Sequence, residues 1–88
     1  MSKITFAEDA WNEYLYWQSQ DKKTLKRINQ LLKAVQRDPY NGEGKPEPLK
    51  SDLKGKWSRR INEKDRLVYE ITEESITVIQ CKGHYTDK

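Results

Sequence analysis

A stripe of apolar residues at helical spacing, in residues 24 to 35, constrains the fold of this chain most strongly. The stripe, with lysine and arginine outside it, consists of Thr24, Leu25, Ile28, Leu31, Leu32 and Val35. Asp21 is a favourable N-cap, and Asp38–Pro39 ends the helix because proline disfavours helical geometry in the residue before it. The segment therefore predicts an amphipathic helix whose apolar face must be buried.

The N-terminal part predicts a strand and another helix. Lys3–Phe6 is a strand candidate, and Glu8 and Asp9 place negative charge in a first helical turn, where the helix dipole favours it. In that helix Trp11, Tyr14, Leu15 and Gln18 follow helical spacing, and Tyr16 and Trp17 broaden the aromatic surface. Two helices with apolar faces thus precede the C-terminal half.

The C-terminal half predicts three strands joined by short turns. The strand candidates are Lys56–Ile61, Arg66–Ile71 and Ile76–Cys81. In the first of them, Trp57 and Ile61 lie on one face and Ser58 and Arg60 on the other. Short turns indicate an antiparallel meander. We expect an α+β fold, βααβββ, with both helices packed on one face of an antiparallel sheet and the other face concave and polar.

Length and charge are typical of one small basic domain. The 88 residues suffice for a single domain over residues 1–88, with one small core. The chain carries a net charge of +3, yet residues 45–66 alone hold eight basic and four acidic residues, so this segment is more positive than the whole. Such a distribution permits an anionic partner without requiring one.

Cysteine usage and hydropathy favour the cytoplasm. Cys81 is the single cysteine, so an internal disulfide is excluded. The sequence has no apolar run of the length that a membrane span needs, and residues 1–4 do not open a signal peptide. We expect a cytoplasmic protein that makes no membrane contact.

A long loop over residues 40–55 presents an isolated carboxylate. Glu47 stands between Pro46 and Pro48, whose rings restrict the backbone, and Lys45 and Lys50 favour its ionised form. Loops of this length are more often functional than idle. Glu47 is therefore a candidate general base, with a carboxylate that only improves solubility as the alternative.

Two arginines on neighbouring strands form a candidate phosphate clamp. If the turn after the first of these strands has an odd length, for example pairing Asn62 with Arg66, then Arg60 and Arg66 lie on the same sheet face. Two guanidinium groups on one face suit phosphate, because each is permanently charged and offers planar donors. A solvated charged face is the alternative.

His84, the single histidine, and Tyr85 follow the last strand. A histidine can donate a proton to a leaving oxygen, and a tyrosine can orient a phosphate or stack on a base, although either residue can also be incidental. With Glu47 and the arginines they complete what RNA self-cleavage needs: a base, positive charge and an acid. One histidine and one cysteine are too few for an ordinary zinc site, and we expect neither metal nor cofactor.

At this point the sequence resembles the YoeB toxins of the RelE/ParE superfamily, over nearly its whole length and in the same order. The resemblance is carried by Trp11–Trp17, Gly44–Lys50, Trp57–Ile61, Arg66–Tyr69 and His84–Tyr85. It implies a RelE-like fold and a toxin that cleaves mRNA in the A site of the 70S ribosome. It also implies a homodimer, neutralisation by an antitoxin of the YefM/Phd type, and operator DNA binding through that antitoxin only.

The resemblance also implies roles for individual residues. By position, Glu47 resembles the family's general base and His84 its general acid, while Arg66 matches the arginine that stabilises the transition state. The RNA- and phosphate-binding positions match Lys45, Lys50, Arg60 and Tyr85. The implied products are a 2′,3′-cyclic phosphate, or the 3′-phosphate formed when it opens, and a 5′-hydroxyl.

Two features depart from the family pattern. Gly83 precedes His84 where we expect a bulkier residue, and Thr86–Lys88 extends past the usual end. We expect Gly83 to give His84 added freedom. Two other hypotheses stay open: a non-catalytic toxin on the same scaffold that inhibits a topoisomerase or the ribosome by binding, and a basic adaptor that only binds ribosomes or RNA.

Overall fold

The computed structural model describes residues 2–84 as two helices packed on a five-stranded sheet. The elements are β1 (Lys3–Phe6), α1 (Glu8–Gln20), α2 (Lys22–Arg37), β2 (Glu47–Pro48), a 3-10 helix (Ser51–Leu53), β3 (Lys56–Arg60), β4 (Arg66–Ile71) and β5 (Ser75–Gln80). The strand order is β1-β5-β4-β3-β2. Strand β1 pairs parallel to β5 and every other pair is antiparallel. The α+β prediction is confirmed, except that the sheet is mixed rather than wholly antiparallel.

Helix α2 has the predicted ends and the predicted buried face. The Asp21 carboxylate accepts hydrogen bonds from the Thr24 backbone N–H at 3.1 Å and from its hydroxyl at 2.8 Å. These bonds hold the pKa of Asp21 below its usual value. On the sheet side of the helix, Ile28, Leu31 and Val35 are fully buried. The apolar stripe therefore forms the centre of the core.

Helix α1 is buried on a narrower face than its aromatic content suggests. Ala10 and Trp17 are buried, whereas Trp11, Leu15 and Tyr16 remain 40% or more exposed. The Trp17 indole N–H donates to the Cys81 carbonyl at 2.8 Å, which joins the helix to the end of β5. Within residues 2–84, neither helix is long and apolar enough to cross a membrane.

The helices cover one face of the sheet. On that face Leu67, Tyr69, Ile76 and Val78 are fully buried and belong to the same cluster as the α2 residues. Trp57 packs partly buried against this cluster. Alternation along the strands sends the intervening side chains to the opposite face, as expected.

The loop predicted over residues 40–55 contains a strand that the sequence did not indicate. Glu47–Pro48 pairs antiparallel with β3 and forms an edge of the sheet. Proline is compatible with an edge strand because the outer side needs no backbone donor. The loop therefore returns to the sheet and fixes the backbone of Glu47.

Candidate functional site

The register between β3 and β4 places two arginines side by side. Arg60 pairs directly with Arg66, so the turn comprises residues 61–65 and the suggested pairing of Asn62 with Arg66 is wrong. The turn nevertheless has an odd length, and the prediction that both arginines lie on one face is confirmed. Directly opposed side chains of neighbouring antiparallel strands have Cβ atoms about 5 Å apart.

Such a pair is unfavourable by itself, because like charges that face each other across two strands repel. Part of the repulsion is offset where Arg66 Nη1 donates to the carbonyl oxygens of Asn62, at 2.6 Å, and Asp65, at 3.1 Å. Arg60 is exposed, and Arg66 is half-buried. An anion between the two guanidinium groups would remove the remaining repulsion, so this pair is a natural phosphate site.

Strand β2 brings Glu47 to the same face. Glu47 pairs with Ser58, and Ser58 pairs with Val68 on β4. Cross-strand partners share a face and so do alternate residues along a strand, which places Glu47 on the side of Arg60 and Arg66. Ser58 and Val68 are 2% and 1% exposed and form the floor beside the arginine pair.

A cavity of about 380 Å³ lies at the arginine pair. Its lining includes Lys45, Arg60 and Arg66 together with Arg27 and Glu63, so basic groups outnumber the single carboxylate. A larger depression of about 610 Å³ adjoins it along α2 and shares Arg27, and its lining side chains are basic, amide, hydroxyl or aliphatic. The smaller cavity is the candidate site, because the paired arginines line it. It lies at the edge of the sheet, between α2 (Arg27) and the turn after β3, and Glu47 is not among its lining residues.

Two other predicted site residues, Lys50 and His84, are not among the residues that line this cavity. Lys50 is exposed and is the N-cap of the 3-10 helix. His84 is exposed and follows Gly83, whose carbonyl accepts from the Arg66 backbone N–H at 3.0 Å. The start of β4 therefore joins the histidine segment to the arginine pair. Tyr85 lies outside the described residues, as does the tail Thr86–Lys88.

Arg59 is the important residue that the sequence analysis missed. Its side chain is 0% exposed and lies on the helix side of the sheet. The Nε atom donates to the Tyr69 hydroxyl at 3.0 Å. The terminal nitrogens donate to three backbone carbonyls of the preceding loop, those of Asp38, Asn41 and Glu43. A buried guanidinium thus holds the loop that leads to Glu47.

Two glycines allow this loop to approach Arg59. Gly42 and Gly44 have φ values of +121° and +85°, and a Cβ atom on Gly44 would lie 3.0 Å from the Arg59 Cβ. The Gly44 carbonyl accepts from the Arg60 backbone N–H at 2.6 Å. Strand alternation gave a usable signal, because it places Arg59 on the face of Trp57, where a charge needs internal partners.

The chain at the end of β5 is anchored to α1. The Cys81 backbone N–H donates to Glu13 Oε1 at 2.8 Å, and burial raises the pKa of Glu13 above its usual value. Burial also raises the pKa of the Cys81 thiol to about 12. Cys81 is therefore a protonated core residue at neutral pH. Among residues 2–84, no three His, Cys, Asp or Glu side chains group as metal ligands would.

Comparison with known proteins identifies the family. The family model described as "YoeB-like toxin of bacterial type II toxin-antitoxin system" matches residues 6–85. A relative from Synechocystis, Toxin YoeB, is 57% identical over 83 residues, which cover 94% of this chain and 96% of the relative. The chain belongs to the YoeB toxin family. The resemblance inferred from the short motifs is confirmed.

Solved structures of YoeB proteins share the fold of this YoeB-family chain. A structure described as a YoeB dimer from Staphylococcus aureus has a TM-score of 0.89 and 48% identity, covering 96% of this chain and 98% of that one. A structure described as a YoeB-YefM complex from the same organism has a TM-score of 0.88 and 46% identity, covering 97% and 99%. The predicted RelE-like architecture is thereby confirmed.

Proposed function

We propose that this YoeB-family chain is a ribosome-dependent endoribonuclease that cleaves mRNA in the A site without a metal ion. The observation that carries the proposal is the shared sheet face of Glu47, Arg60 and Arg66, with the His84 segment joined to Arg66 through Gly83. A carboxylate, paired positive charge and an imidazole are the groups that RNA self-cleavage requires.

In the proposed reaction Glu47 is the general base and accepts the proton of the 2′-hydroxyl. The 2′-oxygen then attacks the adjacent phosphorus, and Arg66 stabilises the negative charge of the phosphorane. His84, the general acid, donates a proton to the 5′-oxygen as the bond between phosphorus and that oxygen breaks. The products are a 2′,3′-cyclic phosphate and a 5′-hydroxyl.

The remaining predicted residues bind RNA in this proposal. Arg60 and Lys45 line the cavity with Arg66 and are proposed to contact the phosphate. Lys50, which follows Glu47 by three residues in the sequence, is proposed to bind RNA as well. Tyr85 follows His84 in sequence and is proposed to contact RNA next to the acid. The excess of basic groups in the cavity supports an anionic substrate.

The proposed partners are the 70S ribosome with its mRNA, a second copy of the chain and an antitoxin of the YefM/Phd type. The description of one Staphylococcus aureus relative as a dimer, and of another structure as a complex with YefM, supports the last two. Operator DNA is contacted only through the antitoxin, and the protein acts in the cytoplasm.

Primer extension on one mRNA in a purified translation system tests the reaction. Wild type should give discrete cuts within codons that require ribosomes. Glu47→Ala, Arg66→Ala and His84→Gln should each lower the cleavage rate at least about 100-fold, because each removes one group of the reaction. Each variant should keep the wild-type circular dichroism spectrum.

Two exposed residues away from the candidate site provide matched controls. Glu73→Ala removes a carboxylate in the turn between β4 and β5, and Arg37→Ala removes a guanidinium at the end of α2. Both should cleave at the wild-type rate. Full activity of any one of the three site variants would disprove that residue's role. Growth arrest without cleavage would favour the non-catalytic toxin.

A further inference from the structure

The backbone of Gly83 is held on both sides by hydrogen bonds from the site. Its N–H donates to Asp65 Oδ1 at 2.7 Å. Its carbonyl accepts from the Arg66 backbone N–H and from the Gln80 side-chain amide, each at 3.0 Å. The other Asp65 oxygen accepts from the Asn62 side-chain amide at 3.0 Å. These hydrogen bonds oppose the added freedom that we expected at Gly83.

Hydrogen bonds, rather than packing, fix this glycine. Apart from Gly83 itself and its two chain neighbours, no described atom lies within 4 Å of the point where a Cβ on Gly83 would be. Cys81, two residues earlier, is fully buried, while His84 is exposed. The chain thus leaves the core between these residues, and the Asp65 carboxylate holds it at the point of exit.

The same turn also holds the arginine of the site. The carbonyl oxygens of Asn62 and Asp65 accept from the Arg66 guanidinium, while the Asp65 carboxylate accepts from Gly83. Asp65 is 8% exposed, so water competes little for its carboxylate. One residue therefore touches both the arginine side chain and the backbone that leads to the histidine.

We propose that Asp65 is a positioning residue: by fixing Gly83, its carboxylate sets the place of the His84 imidazole relative to the phosphate at Arg66. The inference rests on the proposed ribonuclease function. Misplacing a reacting group by about 1 Å can lower a rate about 100-fold, so a hydrogen bond one residue away from the acid affects turnover. Substrate binding, which depends on the basic side chains, is unaffected.

Steady-state cleavage by Asp65→Ala and Asp65→Asn, measured in the ribosomal assay, tests this role. Asp65→Ala should lower kcat by about 10- to 100-fold and leave KM within about twofold, because only the placement of the acid changes. Asp65→Asn keeps an oxygen that accepts from Gly83 N–H but replaces the oxygen that accepts from the Asn62 amide with a donor, so it should recover part of the loss. Glu73→Ala removes an exposed carboxylate and should match wild type.

Amide hydrogen exchange at Gly83, followed by NMR, reports the tether independently of activity. Exchange should be fast in Asp65→Ala and close to wild type in Asp65→Asn. Fast exchange with an unchanged kcat would overturn the proposal, as would an Asp65→Asn variant no better than Asp65→Ala. If Asp65→Ala fails to fold, Gln80→Ala loosens the other side of Gly83 and should lower kcat alone. Failure of the ribonuclease proposal is distinguishable from these outcomes, because the wild-type protein would then not cleave mRNA at all.

Discussion

The two chain segments that flank the candidate site are held in place by opposite means. The Arg59 loop, residues 38–44, leads to Glu47 and is fixed from inside the core by a guanidinium that makes four hydrogen bonds. The histidine segment, residues 82–84, is fixed where the chain leaves the core by the carboxylate of Asp65. The Arg59 loop thus surrounds a buried guanidinium, whereas the histidine segment is bound by a single carboxylate where the chain leaves the core.

The difference lies in how much else depends on each contact. Arg59 cannot lose its partners without leaving a charge in the core, so the loop and the core fold together. Its partner Tyr69 also donates to the Pro39 carbonyl at 2.7 Å, and burial raises the pKa of that phenol. Asp65 holds only the short segment that leads to the exposed His84. We infer that the Glu47 side of the candidate site is rigid and the His84 side adjustable.

Replacing Arg59 should have the largest effect on stability. Arg59→Met leaves three loop carbonyls and the Tyr69 hydroxyl without their donor, and it should lower the free energy of unfolding by about 3–5 kcal/mol. That is a large share of the stability of a small domain. Urea denaturation measures the change. Arg37→Met, at an exposed arginine, should stay within about 0.5 kcal/mol of wild type.

In the same experiment Asp65→Ala should lose only about 1–2 kcal/mol, because water can reach the donors that it leaves, the exposed Asn62 amide and the half-buried Gly83 N–H. If Arg59→Met and Asp65→Ala lowered the free energy of unfolding equally, the inference that one side of the site is rigid and the other adjustable would be wrong. A small loss for Arg59→Met would show that the loop does not depend on the buried guanidinium.

Two glycines, one in each segment, allow the rigidity of the two sides to be compared by the same substitution. Gly44 and Gly83 have similar φ values, +85° and +81°, so alanine meets comparable backbone strain at both, about 1–2 kcal/mol. At Gly44 the added Cβ would also lie 2.9 Å from Leu31 Cδ2. Overpacking should add about 1–3 kcal/mol there, and nothing comparable at Gly83.

Thermal and urea unfolding of Gly44→Ala and Gly83→Ala would measure this difference directly. Gly44→Ala should be the less stable variant. The reverse order would mean that the Arg59 loop can shift to make room, and the inference that the Glu47 side is rigid would be wrong.

Periodic local signals made most of the architecture predictable from sequence. The α2 stripe with its Asp21 cap gave a helix whose end at Arg37 the structure reproduces. Strand alternation placed Arg60 and Arg66 on one face even though the assumed pairing was wrong, because a shift of two residues preserves the face. The sheet face on which a residue lies is therefore easier to predict from sequence than its exact cross-strand partner.

Contacts between distant segments were not predictable in the same way. Strand β2 has only two residues, and its pairing with β3 has no periodic signature. The terminal nitrogens of Arg59 donate to backbone carbonyls. Because every residue has a backbone carbonyl, the amino-acid types in the loop do not indicate these contacts. The contact of Asp65 with Gly83 joins a turn to a segment 18 residues away. The catalytic roles of Glu47, Arg66 and His84 stay predictions.

The smallest effect concerns the anchor of the histidine segment, and it appears only at alkaline pH. Burial raises the pKa of the Cys81 thiol from 9.0 to about 12, so the folded protein keeps a proton that the unfolded chain loses above about pH 9. Stability should therefore fall as the pH rises from about 9 towards 12, and the thiol should contribute no pH dependence below that window.

Urea denaturation at two pH values measures this effect. Between pH 8 and pH 10, the free energy of unfolding should fall by about 1 kcal/mol more in wild type than in Cys81→Ala. Identical slopes for the two proteins would show that the thiol ionises as readily in the fold as in the open chain, so that Cys81 is not held in the core.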